Sequence, residues 1–377
     1  MKTFIHTCSI SVNITWKESQ VLQNRYQWMP LNKSYKGKNY DYSITQFCKN
    51  GLQIQVRRRE KKEIKYDKRH RPFRMDLIIT PYKLLYPDVH LGKILNMGQL
   101  REALLVLDKM IDRIEQETGI EIKYDYKIQR VDVTCDVETP SDIYSKEIIA
   151  AIKTARLPYG YKVPNLSETE KEFGWNAENA SLFYNKNQGA YIKVYDKKEN
   201  LRYRDEYQKY PVKGLVRYEL SLLHKCLANR ELLAYEQLGE CLKNVMYSGE
   251  DLFQEYIIDN LYELPMFSLK VLEDYLDTKL ERKEKTLEKM KWFCRTAYKC
   301  KKNGVPFTAV RCNMSEGQFR KCCSKFRELG ISPIPADDAC PYIPSIESML
   351  NGKIENKLAY FADMKTRGKE IWIYEQG

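Results

Sequence analysis

The amino-acid sequence predicts an α+β fold, in which an antiparallel-rich sheet carries helices on one face and a mainly helical C-terminal domain follows. Several stretches alternate between apolar and polar residues, which is the pattern of half-buried strands. Other stretches repeat apolar residues at the spacing of an amphipathic helix. Near position 263 the composition shifts, and the sequence from 268 to 303 is strongly helical. We therefore expect two domains, 1–263 and 264–377.

The composition of the chain limits its function. With 43% hydrophobic residues, a chain of 377 residues can build real cores. Lys and Arg number 63 against 51 Asp and Glu, and this net charge of +12 indicates nucleic acid as a partner, an ordinary basic protein being the alternative. The 11 cysteines are scattered and the first 16 residues have no signal-peptide pattern, which favours the cytoplasm. No stretch approaches the ~20 apolar residues of a membrane span.

The first strands of the sheet are predicted by alternation. Residues 4–14 and 52–56 alternate between apolar and polar side chains. Residues 75–80 are typical of a buried strand, which Pro81 closes. In the first of these strands, Phe4 and His6 are expected on the same side as the apolar residues that follow them.

A dense basic segment follows the strand over 52–56 and begins with Arg57, Arg58 and Arg59. A run of charges is most often a solvated hairpin or loop. Because this run adjoins predicted strands in a basic protein, contact with DNA phosphates is the second interpretation.

Helical periodicity and turn signals predict the remaining elements. Apolar residues at 4-3-4-3 spacing predict a helix over 98–119, which a glycine ends. The other expected helices span 141–156, 221–247, 268–303 and 315–329, and a final helix and strand span 351–377. Extended segments are expected over 120–126, 173–176 and 180–184, and an exposed connector over 201–214. The last helices before 330 fit either a helix-turn-helix or an ordinary helical hairpin.

Three further stretches have one apolar face and one reactive face, because side chains alternate between the faces of a strand. The reactive residues are Arg130, Asp132, Thr134 and Asp136 in the first stretch, Tyr191, Lys193, Tyr195 and Lys197 in the second, and Arg217, Glu219 and Ser221 in the third. If the three strands are neighbours, carboxylates, tyrosines and cations meet on one surface. That combination suits metal-assisted transfer of a phosphoryl group to a tyrosine.

The acidic residues of these strands are candidate metal ligands. Asp132 and Glu219, with Asp136 on the same face, supply the oxygen ligands that Mg²⁺ or Mn²⁺ prefers. The alternative is that the three acids form structural salt bridges with neighbouring Arg and Lys residues.

Tyr195 is the candidate nucleophile, since Lys193 and Lys197 flank it on the same strand face and would favour its phenolate. Tyr191 lies about 13 Å away along the strand and is a second candidate. With 28 tyrosines in the chain, a purely structural role is the alternative for either residue.

Other chemistries lack their residues. The four histidines form neither a His-x-His nor an HExxH pattern, which argues against histidine-pair nickases and zincins. No P-loop sequence is present. Six cysteines lie after position 290, but none forms a CxxC pair, so buried free thiols are favoured over a zinc site.

Five pieces of the sequence, in order, resemble the replication initiators of filamentous phages, the gene II/X-type endonucleases, and the related non-histidine Rep initiators of rolling-circle plasmids. The resemblance spans about 74–222 and does not cover the region after 265. The pieces are Asp76-Leu77-Ile78-Ile79-Thr80-Pro81 with Lys83, Arg130-Val131-Asp132, Trp175-Asn176, Tyr195-x-Lys197 and Leu215-Val216-Arg217-Tyr218-Glu219.

The resemblance implies a Rep nuclease-like fold and a role for each matched residue. Tyr195 takes the position of the nucleophile and Lys197 that of the cation beside it, while Asp132 and Glu219 take the metal-binding positions. Arg217 and Lys193 would hold phosphate. Two residues depart from the family pattern: Tyr191 is an additional tyrosine, which allows a two-tyrosine scheme, and Asp136 is not part of the shared motif.

In that family the protein nicks one strand of a replication origin, keeps the 5′ phosphate on its tyrosine and later rejoins the strand. The resemblance therefore implies a nickase and strand transferase that uses Mg²⁺ or Mn²⁺ in the cytoplasm of a bacterial host cell. Its expected partners are single- and double-stranded DNA at an origin, a second copy of the chain and a host helicase, with no membrane. Arg130 and the arginines at 57, 58 and 59 are assigned to DNA contact.

Two other functions remain open at this point. One is a non-catalytic, sequence-specific DNA-binding regulator that uses the C-terminal helices and the basic patch. The other is an RNA-binding protein, which competition between single-stranded RNA and DNA at fixed salt would reveal.

Overall fold

Within the described residues of the computed structural model, nine strands form one antiparallel sheet, which confirms the predicted fold class. The structure describes residues 2–30, 40–60, 64–65, 67, 69–88, 93–155, 161–162, 180–185, 188–203, 214–233, 237–258, 264–280 and 284–351. The strands are β1 (Phe4–Ile14), β2 (Trp28–Pro30), β3 (Tyr40–Ile44), β4 (Leu52–Arg58), β5 (Phe73–Ile79), β6 (Lys127–Thr139), β7 (Ala180–Asn185), β8 (Ala190–Asp196) and β9 (Gly214–Leu223). Their order across the sheet is β2-β3-β4-β5-β1-β6-β9-β8-β7.

Eleven helices accompany the sheet in the same part of the chain. They are α1 (Trp16–Arg25), α2 (Pro81–Leu85), α3 (Met97–Thr118), α4 (Asp142–Thr154), α5 (Lys197–Tyr203), α6 (His224–Asn229), α7 (Leu238–Phe253), α8 (Leu269–Leu280), α9 (Glu284–Lys302), α10 (Glu316–Leu329) and α11 (Ile346–Asn351). A π-helical turn, Gln254–Ile258, continues α7. A short pair of strands, β10 (Met266–Phe267) and β11 (Tyr342–Ile343), forms a second antiparallel sheet.

The two faces of the large sheet differ in chemistry. On one face, apolar strand residues such as Ile10, Leu77 and Val131 are fully buried and belong to the same core as the inner faces of the helices. The other face carries the polar residues of each strand. An antiparallel sheet tolerates this division because only one of its faces must be covered by the core.

The helix ends follow the sequence signals. Asn96 caps α3 and Ser315 caps α10, each through a reciprocal capping box with a glutamine three residues on. Gly119 and Gly330 end these two helices in the left-handed conformation, which glycine adopts without steric cost. The predicted helices over 98–119 and 315–329 are therefore confirmed to within a residue or two.

Several expected elements differ from the structure. Residues 123–125 form a turn, and β6 begins only at 127, although Ile120 and Ile122 before the turn are buried. The helix expected over 221–247 is divided: β9 continues to 223, and α6 and α7 follow separately. The expected connector over 201–214 begins inside α5. The expected strand over 173–176, with Trp175 and Asn176, and the expected elements after 351 lie outside the described residues.

The C-terminal helices share the core of the sheet. Buried apolar residues of β10, α8, α9 and α10 belong to the same continuous cluster as those of the strands. Phe293 on α9 stacks on Phe326 of α10 and lies 4.7 Å, ring centre to ring centre, from Phe307. The boundary expected between 263 and 264 thus lies just before β10. The described residues on its two sides belong to one core.

None of the helices in the described ranges is long and apolar enough to cross a membrane.

Candidate active site

The three reactive strands lie side by side in the order β6-β9-β8. Both pairings are antiparallel and in continuous register over the residues of interest. Because side chains of residues paired directly across antiparallel strands share a face, the register sorts the reactive residues into three rows. The rows are Asp136–Arg217–Tyr195, Thr134–Glu219–Lys193 and Asp132–Ser221–Tyr191. We call this set the polar array.

The first row is held by a buried guanidinium. Arg217 is fully buried, and its Nε and Nη2 donate to Oδ1 and Oδ2 of Asp136, each at 2.6 Å. The ring of Phe4 lies 5.6 Å from Cζ of Arg217 on the other side. Burial opposes the charge of Arg217, but Asp136 and Tyr195 together raise its pKa. A permanent cation on β9 therefore lies directly opposite Tyr195 on the neighbouring strand β8.

The second row contains a buried ion pair. Nζ of Lys193 donates to Oε1 of Glu219 at 3.0 Å, and both side chains are at most 10% exposed. Burial raises the pKa of Glu219, but Lys193, His6 and Arg130 outweigh it and lower that pKa to about 2. Glu219 is therefore an anion at any physiological pH.

The third row contains Asp132, which is 1% exposed. Its carboxylate accepts a hydrogen bond from the hydroxyl of Thr7 on β1 and pairs with Nε of Arg130 at 3.1 Å. The structural salt bridges weighed as an alternative for the acids are thus present for all three.

The donor set of the polar array fits a divalent ion through two carboxylates. Glu219 on β9 pairs with Thr134 on β6, and Asp132 lies two residues before Thr134 on β6. Asp132 is therefore the diagonal neighbour of Glu219, and their Cα atoms are about 7–8 Å apart. The buried hydroxyls of Thr134 and Ser221 lie between these acids and form no hydrogen bond in the described structure. Such oxygen donors suit Mg²⁺, which often uses only one or two carboxylates. Within the described ranges, no group of three or more His, Cys, Asp or Glu residues is arranged to hold a metal.

Asp136 is less suited to that ion than the sequence suggested. It is four residues from Asp132 along β6, about 13 Å away, and both its carboxylate oxygens are engaged by Arg217. Its assignment as a metal ligand stays a prediction that this geometry does not favour.

Tyr195 and Tyr191 have different surroundings on β8. Tyr195 is 7% exposed and packs on Ala180 of β7, apart from the main core. Burial raises the pKa of its phenol, and Arg217 opposes this effect. Tyr191 is half-buried and lies at the far end of the array beside Ser221.

Lys197 lies in a helix and not on the strand face where the sequence placed it. β8 ends at Asp196, whose Oδ1 accepts a hydrogen bond from the backbone N–H of Glu199 at 3.1 Å and so caps α5. Lys197 is the first residue of α5, and its buried Nζ donates to Oδ1 of Asn200 at 3.2 Å. It nevertheless stays near the array, since its charge helps lower the pKa of His6.

His6 is the residue that the sequence pattern missed. The register of β1 against β6 shifts between Ile5 and Thr7, so His6 occupies a β-bulge. Burial, followed by Arg217, lowers the pKa of its imidazole well below the usual value, and Glu219 opposes them. The ring of His6 lies 6.4 Å, centre to centre, from the ring of Phe4, which lies 5.6 Å from Cζ of Arg217, so His6 is near the array. Neither the spacing of the histidines nor simple alternation signals this, because the bulge is set by pairing with β6.

The arginines of the basic segment do not form one patch. Arg57 lies on the polar face of β4, with Nε 3.6 Å from Oδ2 of Asp76. Arg58 is exposed, and Arg59 pairs with Asp67 at 2.5 Å. Within β4, Arg57 lies on the face of the polar array, while Arg58 lies on the opposite face.

Comparison with known proteins does not establish a family. No protein-family model and no curated protein matches the chain. Among solved structures, it is similar to the rolling-circle replication initiator protein from Geobacillus stearothermophilus, with a TM-score of 0.28 and 13% identity over 62% of this chain and 79% of that one. A likeness this weak establishes neither a common fold nor a function.

Proposed function

We propose that the protein is a metal-dependent, site-specific single-strand DNA endonuclease and strand transferase that initiates rolling-circle replication of a phage or plasmid. The observation that carries the proposal is the polar array itself. It sets a tyrosine directly across from a buried arginine, beside a row with a lysine and a carboxylate, and next to a second carboxylate. The ordered motifs of the sequence support the same function.

The proposed reaction is a transesterification at one phosphodiester. The phenolate oxygen of Tyr195 forms a bond to phosphorus, and the bond from phosphorus to the 3′ oxygen breaks. The product is a 5′-phosphotyrosine and a free 3′ hydroxyl, which takes up a proton. Arg217 and Lys193 would stabilise the phenolate and the charge on the phosphoryl oxygens, a role that the pairing of Arg217 with Tyr195 supports. Rejoining is the reverse reaction and needs no ATP.

Asp132 and Glu219 are the residues that would hold the metal. Bound there, Mg²⁺ or Mn²⁺ would supply Lewis-acid stabilisation of the phosphoryl and leaving oxygens. The chain's own part is to keep the carboxylate of Glu219 ionised, which the lowered pKa of that group ensures. In this structure Tyr195 is buried, so its ring has to become accessible to DNA, whereas Tyr191 is already half-exposed.

The partners follow from the reaction. Single- and double-stranded DNA at an origin is the substrate, and the net charge of +12 supports DNA binding. A second copy of the chain and a host helicase are further proposed partners, and the bacterial cytoplasm is the proposed location.

The test is formation of a covalent adduct. Internally labelled DNA that carries the gene and its flanking sequence is incubated with the protein and Mn²⁺ or Mg²⁺. We expect label that stays with the protein in SDS, and loss of this adduct in Tyr195→Phe and in EDTA. The mass of the DNA-linked peptide after proteolysis locates the tyrosine.

The matched control is Tyr191→Phe on the same strand. If this variant loses the adduct and Tyr195→Phe keeps it, the nucleophile is Tyr191. If neither wild type nor variants form an adduct with any DNA strand, the proposed enzyme activity is wrong.

A second candidate is a DNA-binding regulator without catalysis, favoured by the outer face of α10. Phe319 and Phe326 anchor this helix in the core, while Arg320, Lys321 and Lys325 are exposed on its outer side. A stable helix with an exposed basic face suits contact with duplex phosphates.

Charge reversal distinguishes this candidate. Arg320→Glu with Lys321→Glu is compared with Arg101→Glu and Lys109→Glu, an equal charge change at exposed positions of α3. Loss of duplex binding in the first variant alone, with binding insensitive to EDTA and no adduct in wild type, would establish the regulator.

A further inference from the structure

The polar face of the sheet continues beyond the polar array, from β6 across β1 and β5 to β4. From Asp132 the register passes to β1, where Thr7 and Ser9 pair with Asp132 and Arg130. It then passes to β5 and β4, where Ser11 pairs with Asp76, which pairs with Gln55. The polar residues of β4, β5 and β1 therefore form one surface that is continuous with the array.

Three side-chain amides line this surface. Gln53 and Gln55 on β4 and Asn13 on β1 alternate with fully buried core residues and are half-buried themselves. Their side chains form no hydrogen bond with another described residue. Each amide offers two donors and an acceptor, the groups that recognise the edges of unpaired bases.

The same surface is electropositive. Arg74 donates from Nε to Oδ1 of Asp76 at 2.5 Å, and Nε of Arg57 lies 3.6 Å from Oδ2. Arg130 is near enough to lower the pKa of Asp76 as well, although burial has the larger effect and raises it. Three guanidinium groups thus meet two buried carboxylates, since Arg130 also pairs with Asp132. One positive charge is left in excess on the surface that the amides line.

We propose that the polar face of β4, β5 and β1 binds the single DNA strand that leads to the nick, with Gln53, Gln55 and Asn13 contacting bases and Arg57 and Arg74 contacting phosphates. This inference rests on the proposed function, which makes the polar array the place where the strand is nicked. The surface ends at the array, so a strand bound along it would lead to that place. Arg57 lies about 25 Å from Asp132 by strand spacing and rise, a distance that accommodates several nucleotides.

Single-stranded DNA fits this surface better than a duplex does. The base edges of a duplex lie in grooves that admit a helix or a two-stranded ribbon, and the broad face of a nine-stranded sheet is neither. Unpaired bases are free to turn toward such a face and to meet short amide side chains. The charge of the arginines complements the phosphates that remain at the outer side.

The test measures binding apart from cleavage. A fluorescent mixed-sequence single-stranded 20-mer is titrated with the full chain in EDTA, and the same sequence is titrated as a duplex. Gln53→Ala with Gln55→Ala should weaken single-strand binding about tenfold and leave duplex binding within twofold. The slope of log K against log salt should stay unchanged, because amides neutralise no phosphate. Arg57→Gln should instead lower that slope by about 0.7.

The matched control removes two half-buried glutamines from α1, Gln20→Ala with Gln23→Ala. Equal single-strand affinity in the β4 variant and wild type, or equal losses in the β4 variant and the control, would overturn the inference. Loss of duplex binding in parallel would also overturn it.

A near-isosteric variant guards against misfolding. If the β4 double variant unfolds at lower temperature than wild type, Gln55→Glu replaces it, and repulsion by the added charge should give at least the same loss. The result is separable from the proposed function, since a tenfold loss without an adduct in wild type would retain the binding surface and reject the nickase.

Discussion

The pKa of the Tyr195 phenol is subject to two opposing influences. Its burial favours the neutral phenol, whereas Arg217 directly across the strand favours the phenolate. Burial is the larger influence, so the phenol is neutral at pH 7 and only a small fraction of the protein holds a phenolate. A nucleophile in this setting should depend steeply on pH.

The first prediction concerns this pH dependence. Below the raised pKa of Tyr195, the phenolate fraction grows tenfold for each unit of pH. The single-turnover rate of adduct formation with Mn²⁺ should therefore rise about tenfold per unit between pH 6 and pH 9. Tyr191→Phe should show the same slope, and a plateau below pH 8 in both proteins would show that another group limits the reaction.

The second prediction concerns the buried pair of Lys193 and Glu219. Removing one partner leaves an unpaired buried charge, which costs about 3–5 kcal/mol. Lys193→Met should lower the free energy of unfolding by about this amount at pH 7 in urea titrations. Lys193→Met with Glu219→Gln should cost clearly less than the sum of the single variants, and additive losses would contradict the coupling.

The sign of the pH effect on this pair is fixed by the lowered pKa of Glu219. The stabilisation is fully present above the ordinary value of 4.5 and is lost as the pH falls through about 2. In wild type the free energy of unfolding should therefore fall between pH 5 and pH 2, and Lys193→Met should show a weaker fall over that window.

At the scale of elements, β1 decides which side chains reach the site. Simple alternation places Phe4 and His6 with the core residues of this strand. The bulge at His6 reverses the faces before it, so Phe4 pairs with Thr134 on the polar side and Ile5 enters the core. That exchange brings an aromatic ring onto Arg217, which explains how a fully buried guanidinium is covered on that side.

Close packing at the start of β9 gives the third prediction. A Cβ on Gly214 would lie 2.2 Å from Oγ1 of Thr139 and 2.6 Å from the carbonyl oxygen of Ser141, so the backbone has to shift. Gly214→Ala should destabilise the protein by about 1–3 kcal/mol in thermal or urea unfolding. Because β9 carries Arg217 and Glu219, adduct formation should fall as well.

The control for this substitution is Gly317→Ala in α10. A Cβ at Gly317 meets no atom within 4 Å, and its φ is not left-handed. Stability should stay equal or rise by up to about 1 kcal/mol, because alanine favours the helix. Equal destabilisation by both variants would argue against tight packing at Gly214.

At the scale of the whole molecule, the C-terminal helices are tied to the sheet through buried polar contacts. Nζ of Lys301 on α9 donates to Glu147 on α4 and to the carbonyl of Pro335. The backbone N–H of Phe307 donates to the carbonyl of Thr154 at 2.9 Å. The sheet and the C-terminal helices also share one described core, and the expected division at 263 stays a prediction.

The fourth prediction tests this unity. Thermal unfolding of the full chain should show one cooperative transition by near- and far-ultraviolet circular dichroism. Lys301→Met should cost about 3–5 kcal/mol, because it leaves the carboxylate of Glu147 without its buried partner. Lys302→Met, next to it on α9, breaks a half-exposed pair with Asp337 and a contact with the ring of Tyr298, and should cost under about 1 kcal/mol. Two separate transitions would instead support two domains divided at 263.

The sequence by itself determined the elements whose signals are local. The strand faces of β6, β8 and β9 follow from alternation, and α3 and α10 follow from apolar periodicity with their caps, since each depends on neighbours a few residues away. The class of fold was therefore predictable, along with the strand expected over 180–184, which β7 confirms.

Only the tertiary structure decided how those side chains are paired and covered. The register of β9 against β6 and β8 sets Arg217 between Asp136 and Tyr195, and the bulge in β1 brings His6 to the array. Capping by Asp196 turns Lys197 out of the strand. These outcomes depend on strand order, register and burial, which arise from contacts between residues distant in sequence, and no local pattern carries that information.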